Sequence, residues 1–451
     1  MANDLLDNSM KETELGPLPS EWEIRPLDEL FDAKLGKMLS QRSKTGTGSQ
    51  PYVRNANVQW GKVETTDLYE MDFLDEERER FRLKPGDILI CEGGEVGRTA
   101  LWRGELDECY YQKAIHRVRP KDGQINNEFF MYHMMNAFLI QKTYGVQGTE
   151  TTIAHLPSVK LKALPIPVPP IAEQQAIAHV LRTVQRAKEA TEKVIAAARQ
   201  LKQSLMRHLF TYGPVPVEQA DQVPLKETEI GPIPEHWRAC TLGELASGGN
   251  GSIQTGPFGS QLHASDYKDS GVPVVNPTHL GLNEIFDGEI PRIAKEDSDR
   301  LDRHYLQEGD ILIARRGEFN RYAHITKNQV GWMCGTGSMR IRLRHPDVDS
   351  FFLGISFSTP RIQDFLRDHA VGSIMPNLNG KILAGVPVVL PSVEEQKEIG
   401  LTFSAVAEKI RIEQSKKNAL DCVFRTLLHH LMTGKVRVNE LEFPATKGGS
   451  P

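Results

Sequence analysis

The chain has 451 residues, 39% of them hydrophobic and 25% charged, with a net charge of −5. A chain this long holds about two to four ordinary domains, and its composition excludes whole-chain disorder and collagen-like or low-complexity architecture. No apolar run approaches the ~20 residues of a membrane span, so no membrane association is expected. The opening Met1-Ala2-Asn3-Asp4 carries neither a basic nor an apolar stretch, so no secretory leader is expected. Cys91, Cys109, Cys240, Cys334 and Cys422 stand singly. That pattern argues against a disulfide framework or a Cys-rich zinc site and fits a reducing cytoplasm. The negative net charge argues against an all-over basic surface and leaves room for a local basic groove.

In chain order, the sequence predicts an N-terminal segment (1–21) and a globular domain (22–168) with strand-like runs such as DILI and HRVR. Residues 131–144 of that domain look partly helical. A long helix follows over 169–212, opened by Pro169-Pro170 and stopped by Gly213. A linker (213–236) leads to a second globular domain (237–390), with a partly helical stretch at 351–366. A second long helix covers 391–434, opened by the capping box Ser392/Glu395 and stopped by Gly434. The tail, 435–451, is expected to be disordered.

The two halves are copies of one plan. KETELGPLPSEW (11–22) returns as KETEIGPIPEHW (226–237), offset by 215 residues. LKPGDILICEGGE (83–95) returns as LQEGDILIARRGE (306–318), and IHRVR (115–119) as SMRIR (338–342), both offset by 223. LPIPVPPIAEQQAI (164–177) returns as VPVVLPSVEEQKEI (386–399), and LMRHLFTYG (205–213) as LLHHLMTGK (427–435). A period this long is duplication of whole domains rather than a solenoid.

On the first helix Leu181, Val184, Ile195, Ala198, Leu205 and Leu209 fall on alternating steps of 3 and 4, interrupted by Lys188, Thr191 and Lys202. On the second, Phe403, Val406, Ile410, Leu420, Phe424, Leu427 and Leu431 do the same, interrupted by Glu413 and Lys417. The 39 residues from Ile171 to Leu209 span about 58 Å as a helix. An apolar stripe of that length needs a partner. The other copy's helix is the obvious one; the alternative is two helices packed separately, each on its own domain. Antiparallel pairing puts the two domains at opposite ends of a spacer of fixed length, related by an approximate two-fold axis.

Catalytic signatures are thin. No phosphate loop of the GxxxxGK[ST] kind, no GxGxxG opening a helix and no HExxH is present. Asn276-Pro277-Thr278-His279 lacks the second proline and aromatic of an amino-methyltransferase motif. Asp87 and Asp310 are expected to close a turn before a strand rather than hold a metal. No catalytic residue and no metal site is assigned.

Binding features are richer. Residues 311–345 carry seven Lys/Arg against one acid, net +6, whereas 88–122 is balanced at six of each. Arg340, Arg342 and Arg344 either line the wet face of a strand or meet phosphates. Arg315 and Arg316, with Asn320 and Arg321, sit in a turn after a strand, where guanidinium forks can meet guanine edges or phosphates. Glu92 and Gly93 hold the corresponding positions of the first copy, and only Arg98 and Arg321 match. Further candidates are Lys37, Arg42, Lys44, Arg54, Asn55, Asn57 and Lys113 in the first copy, and Gln254, Thr255, Ser260 and Asn276 in the second. Thr149, after Gly148, and Ser373, after Gly372, could each open a helix that receives a phosphate. Each of these stands beside the plainer reading of a solvated loop.

The duplicated segments, with GPFGSQLHASDY (256–267) and a long helix after each domain, resemble the specificity subunit of a type I restriction–modification enzyme over about residues 11–435. The resemblance implies a mixed α/β fold in tandem duplication. Two target-recognition domains are spaced by long helices pairing as an antiparallel coiled coil with pseudo-two-fold symmetry. It implies a bipartite, asymmetric site on double-stranded DNA, each half read by one domain, with the domains about 34 Å apart along the duplex. It implies two methyltransferase (modification) subunits using S-adenosylmethionine and restriction subunits using ATP and Mg2+, docked on a chain with no cofactor and no chemistry of its own. The alternatives are a coiled-coil scaffold that binds protein and a specificity subunit of a modification-only system.

Overall fold

A computed structural model describes residues 10–40, 46, 48–142, 144, 155–249, 251–258, 261–286, 288–372 and 376–438. Among these, no helix is long and apolar enough to cross a membrane. The chain folds as two compact units, 1–192 with 415–451, and 193–414. The units do not coincide with the sequence halves, because each long helix contributes to both.

In the first unit a hairpin, Met10–Lys11 against Leu18–Pro19, leads into Glu23–Pro26, which pairs antiparallel with the exit strand Pro165–Val168. Between them lies a four-stranded antiparallel sheet in the order Thr99–Leu101, Ile88–Cys91, Ile115–Pro120, Phe31–Leu35. Ile88, Leu89, Ile90 and Cys91 are all fully buried, which is why this strand reads as an unbroken apolar run rather than an alternating one. A second sheet pairs Ser49–Val53 with Tyr110–Tyr111 in parallel and with Tyr69–Asp72 antiparallel. The helix at Asn127–Met135 continues as a π-helical turn over Asn136–Gln141.

The second unit repeats this topology. Its hairpin is Leu225–Lys226 with Ile233–Pro234, and Arg238–Thr241 pairs with Pro387–Leu390. The four-stranded sheet runs Tyr322–His324, Ile311–Ala314, Ser338–Arg342, Ser252–Thr255. Val272–Val275 lies parallel to Met333–Cys334 and antiparallel to Arg292–Ile293. The expected helical stretch is two helices, Ser350–Ser356 and Pro360–His369.

The GD that precedes each apolar strand is explained by the sheet. Gly86 and Gly309 adopt φ of +95° and +86°, open to glycine at no steric cost. The next carboxylate closes the turn: Asp87 accepts from the Lys84 N–H at 2.7 Å and Asp310 from the Gln307 N–H at 2.8 Å. A guanidinium on the neighbouring strand grips each one with two bonds, Arg119 on Asp87 and Arg342 on Asp310, the latter at 2.6 Å twice.

The long helices run Ile171–Tyr212 and Val393–Met432. Both begin directly after the expected breakers and end just before the expected glycines. The Ser392–Glu395 capping box forms, with the Glu395 N–H on Ser392 Oγ at 3.2 Å and the Ser392 N–H on Glu395 Oε2 at 2.9 Å. Gln174 is wholly buried: its Oε1 accepts from the Asn126 N–H at 2.8 Å, and its Nε2 donates to the Gln124 and Pro169 carbonyls at 2.9 and 2.8 Å. Gln396 makes the same three bonds, with the Asp349 N–H and the carbonyls of Asp347 and Pro391. The preceding glutamate accepts from the buried tryptophan of the opening hairpin, Trp22 on Glu173 and Trp237 on Glu395, both at 3.2 Å.

The helices pair within each unit, which overturns the alternative of separate helices. In the first, Ile177 and Leu181 share a core with Phe424, Leu428, Leu431 and Met432, with Val184 and Leu427 packed against it. Lys188 pairs with Asp421 at 2.5 Å and Glu192 with Lys417 at 3.1 Å. Four residues forward on one helix match four back on the other, so the pairing is antiparallel. In the second unit Met206, Leu209 and Phe210 pack with Ile399 and Phe403, with Leu205 alongside. Of the other stripe positions, Ile195 is buried and Val406, Ile410 and Leu420 are half-buried.

The C-terminal segment stays ordered further than expected. Arg437 bonds Glu173 at 2.7 Å and also pairs with Glu21, and Val438 packs on the first unit's core. Residues 439–451 lie outside the described residues.

Two predictions follow from these duplicated contacts. Asp87→Asn and Asp310→Asn should each cost ~2–4 kcal/mol in chemical denaturation. That is below the ~3–5 kcal/mol for breaking a fully buried pair, because the arginines keep some water contact. Gln174→Ala and Gln396→Ala, which strand three backbone partners each, should each lower stability by at least ~1–3 kcal/mol, the cost of a single bare group. Parental melting of either glutamine variant contradicts that role.

Candidate nucleic-acid interface

Both four-stranded sheets release the chain at the same place, the turn after the GDILI strand. The Glu92 N–H bonds the Ala114 carbonyl at 3.0 Å, and the Arg315 N–H bonds Gly337 at 2.8 Å. The Glu92 carbonyl accepts from the Leu156 N–H at 2.7 Å, and that of Arg315 from the Leu378 N–H at 2.8 Å. Gly94 and Gly317 then turn the chain with φ of +72° and +81°. The return is stapled by an ion pair three residues apart, Arg98 to Glu95 at 3.2 Å and Arg321 to Glu318 at 2.8 Å. Arg98 also donates to the Asn55 carbonyl at 2.6 Å. The matching of Arg98 and Arg321 between copies thus has a local cause: each holds its own loop closed.

In the second domain this turn gathers a cluster. Arg315 Nε donates to Asn377 Oδ1 at 2.9 Å, and its guanidinium lies 5.6 Å from the centre of the exposed Phe258 ring. Arg316 and Asn320 are exposed. Asn377 forms a β-bridge with Arg316. Gln254 and Thr255 end the edge strand that leads to Phe258, and Gln254 Oε1 accepts from Arg340 at 2.9 Å. Asn276 caps its own turn, its N–H on His279 Nδ1 at 3.0 Å.

The charge count over 311–345 overstates what reaches the surface. Arg340 is 4% exposed and donates to the carbonyls of Arg303 and Tyr305 at 2.7 and 3.1 Å. Its burial pushes its pKa down. Arg342 is held by Asp310. Neither lies on a wet strand face: both reach backbone or carboxylate acceptors within the fold, and only Arg344 of the three is exposed. In the first domain Arg117 takes the Arg340 position, buried and 3.0 Å from Asp32.

The first domain's candidates are more engaged. Lys37 pairs with Glu77, donates to the Asp72 carbonyl at 2.6 Å and lies 4.9 Å from the Phe73 ring centre. Arg54 pairs with Asp67 and stacks 3.6 Å from the Tyr69 ring centre. Asn57 is buried, capping its own turn by accepting the Arg54 N–H at 3.1 Å. Asn55 Nδ2 donates to the Gly93 carbonyl at 3.0 Å. Lys113 is exposed. Arg42, Lys44, Thr149, Ser260 and Ser373 lie outside the described residues. After Gly372 the first helix among the described residues is Gly380–Ala384, capped by Asn379.

Burial holds the thiols of Cys91, Cys109 and Cys334 protonated, pushed up to about 11, 12 and 12. No group of three or more His, Cys, Asp or Glu that could hold a metal occurs among the described residues. Sequence reasoning missed Asn377, which no spacing advertises, and gave Phe258 no role. Phe258 had a signal in the sequence, since an aromatic between Pro257 and Gly259 has little to pack on.

Comparisons with known proteins bear on the family and the fold. The profile of the family described as "Type I restriction modification DNA specificity domain" matches residues 19–199 and again 234–421. A chain of Methanocaldococcus jannaschii, provisionally described as the type I restriction enzyme MjaX specificity subunit, is 25% identical over 446 residues, covering 96% of this chain and 97% of that one. The type I restriction enzyme EcoBI specificity subunit of Escherichia coli is 25% identical over 351 residues, covering 76% and 71%. The crystal structure of the type I restriction–modification S subunit from M. genitalium shares the fold, with a TM-score of 0.57 and 19% identity over 91% of this chain and 96% of that one. Two profile matches on two units of like topology leave one assignment: the chain belongs to the type I restriction–modification DNA specificity family.

Proposed function

We propose that this chain reads a bipartite, asymmetric site on double-stranded DNA, one half per globular domain, and has no catalytic activity of its own. The observation that carries this reading is the pair of equivalent turns. One scaffold, repeated strand for strand, presents Glu92-Gly93 in one copy and Arg315-Arg316 in the other. Two like scaffolds with unlike side chains at one position read two unlike half-sequences. Phosphate contacts position such domains and base-edge contacts specify the sequence.

The long helices serve as docking surfaces for two modification subunits, which use S-adenosylmethionine, and for restriction subunits, which use ATP and Mg2+. The modification subunit flips its adenine out of the stack, and this chain supplies the address. The assembly works in the cytoplasm, where free thiols persist and the chromosome is reachable.

Mapping methylated adenines across the source genome, with and without this gene, is the direct test. Deletion should abolish methylation at one two-part motif; an unchanged methylation pattern contradicts the proposal. In the assembled methyltransferase, Arg315→Ala with Arg316→Ala should weaken binding to the specific duplex by about 5- to 100-fold, the worth of one good base contact. It should also flatten the salt dependence if either guanidinium meets a phosphate. Unchanged affinity in a titration from low to moderate salt removes this turn from the interface.

A further inference from the structure

Glu92 stands out once the two turns are superposed by their hydrogen bonds. It occupies the Arg315 position, half-buried, immediately after Cys91 leaves the sheet. Nearby carboxylates of this domain are engaged: Asp87 holds Arg119, and Glu95 takes the Trp60 indole N–H at 2.6 Å as well as Arg98. The Glu92 carboxylate has no hydrogen bond or ion pair among the described residues. Beside it, Asn55 donates to the Gly93 carbonyl while its own buried Oδ1 accepts nothing. A Cβ on Gly93 would stand 3.3 Å from the ring of His155, which is exposed. His155 corresponds to Asn377, the residue that aims Arg315 in the second domain. The two loci thus have one backbone and opposite charge.

Resting on the DNA-reading function proposed above, we propose that Glu92 is a specificity-determining residue. It accepts a hydrogen bond from an exocyclic amino group in the major groove of the half-site read by the first domain. The Arg315–Arg316 pair donates to guanine in the other half. A carboxylate in a turn that faces DNA is repelled by every phosphate. Its favourable partners on a duplex are the amino groups of cytosine N4 and adenine N6. Arginine at the same place has the reverse preference, because its fork matches guanine O6 and N7 and carries no acceptor. The opposite charges therefore account for the asymmetry of the site at the level of one base contact per domain.

The test uses the full chain assembled with its modification subunits and a plasmid library randomised across both half-sites, with methylation read by single-molecule sequencing. The parent complex, Glu92→Gln, Glu92→Ala and Glu92→Arg are compared. Melting temperature and co-purification with the modification subunits check that each variant folds and assembles. Glu92→Ala should lose discrimination at one base pair of one half-site by about 5- to 100-fold, and the isosteric Glu92→Gln by a smaller factor. Glu92→Arg should move the preference at that pair, while the other half-site stays as in the parent. A G·C pair at the affected position identifies the cytosine amino group, and an A·T pair the adenine. Unchanged motifs in all three variants overturn the proposal, as does an equal loss at both half-sites in a variant that folds and assembles. A parent complex that methylates no two-part motif overturns the DNA-reading function, and this inference falls with it.

Discussion

Gln174 and Gln396 fix how each domain meets its helix. A buried primary amide must satisfy its carbonyl and its N–H groups, or lose about 1–3 kcal/mol for each group left bare. Here the partners are backbone groups just before the helix and in the loop at the start of the Asn127–Met135 or Ser350–Ser356 helix. They come together only when the helix leaves the exit strand in one direction. The neighbouring glutamate fastens the opening tryptophan to the same corner. A long helix attached by a flexible joint could not hold a domain in a defined pose. This corner makes the joint rigid, and both copies make it with the same bonds.

That corner was visible in the sequence as a repeated EQ after a proline-rich exit, with its cause hidden. The duplication itself was legible because the residues that recur face inward, where one side chain fits and neighbours do not. The apolar strand after GD, the tryptophan of the opening hairpin and the seam of the helices are all of this kind. The seam could be traced because a 3–4 repeat survives interruption by Lys188, Thr191 or Glu413. The division into units was not legible. Residues 415–432 read as the end of one helix, yet they complete the core of the first domain through contacts with Ile177 and Leu181, over two hundred residues away in the chain.

The geometry around the candidate interface was only partly legible. Arg315 and Arg316 stand out in the sequence because they break the match between copies in an otherwise matching segment. Arg340 and Arg342 were misjudged because alternation along a strand marks a wet face only when one face is open. In these sheets the central strands are covered on both sides, and a guanidinium that cannot reach water reaches carbonyls instead. Lys37 and Arg54 show the same ambiguity from the other side. A cation in a polar loop looks free in one dimension, and the acidic and aromatic residues that engage it, Glu77 with Phe73 and Asp67 with Tyr69, arrive from thirteen or more positions away.

The repeated corner has a consequence for inheritance. The stretch from Trp22 to Gln174 and the stretch from Trp237 to Gln396 are fastened at their ends by the same side chains in the same geometry. A crossover that trades one stretch for another with the same ends breaks none of these fastenings and creates no unsatisfied group at the joint. Such a chain acquires a new globular domain while keeping its old helices. The corner therefore defines a cassette, and a lineage carrying it can change what it reads by exchange rather than by slow accumulation of point changes.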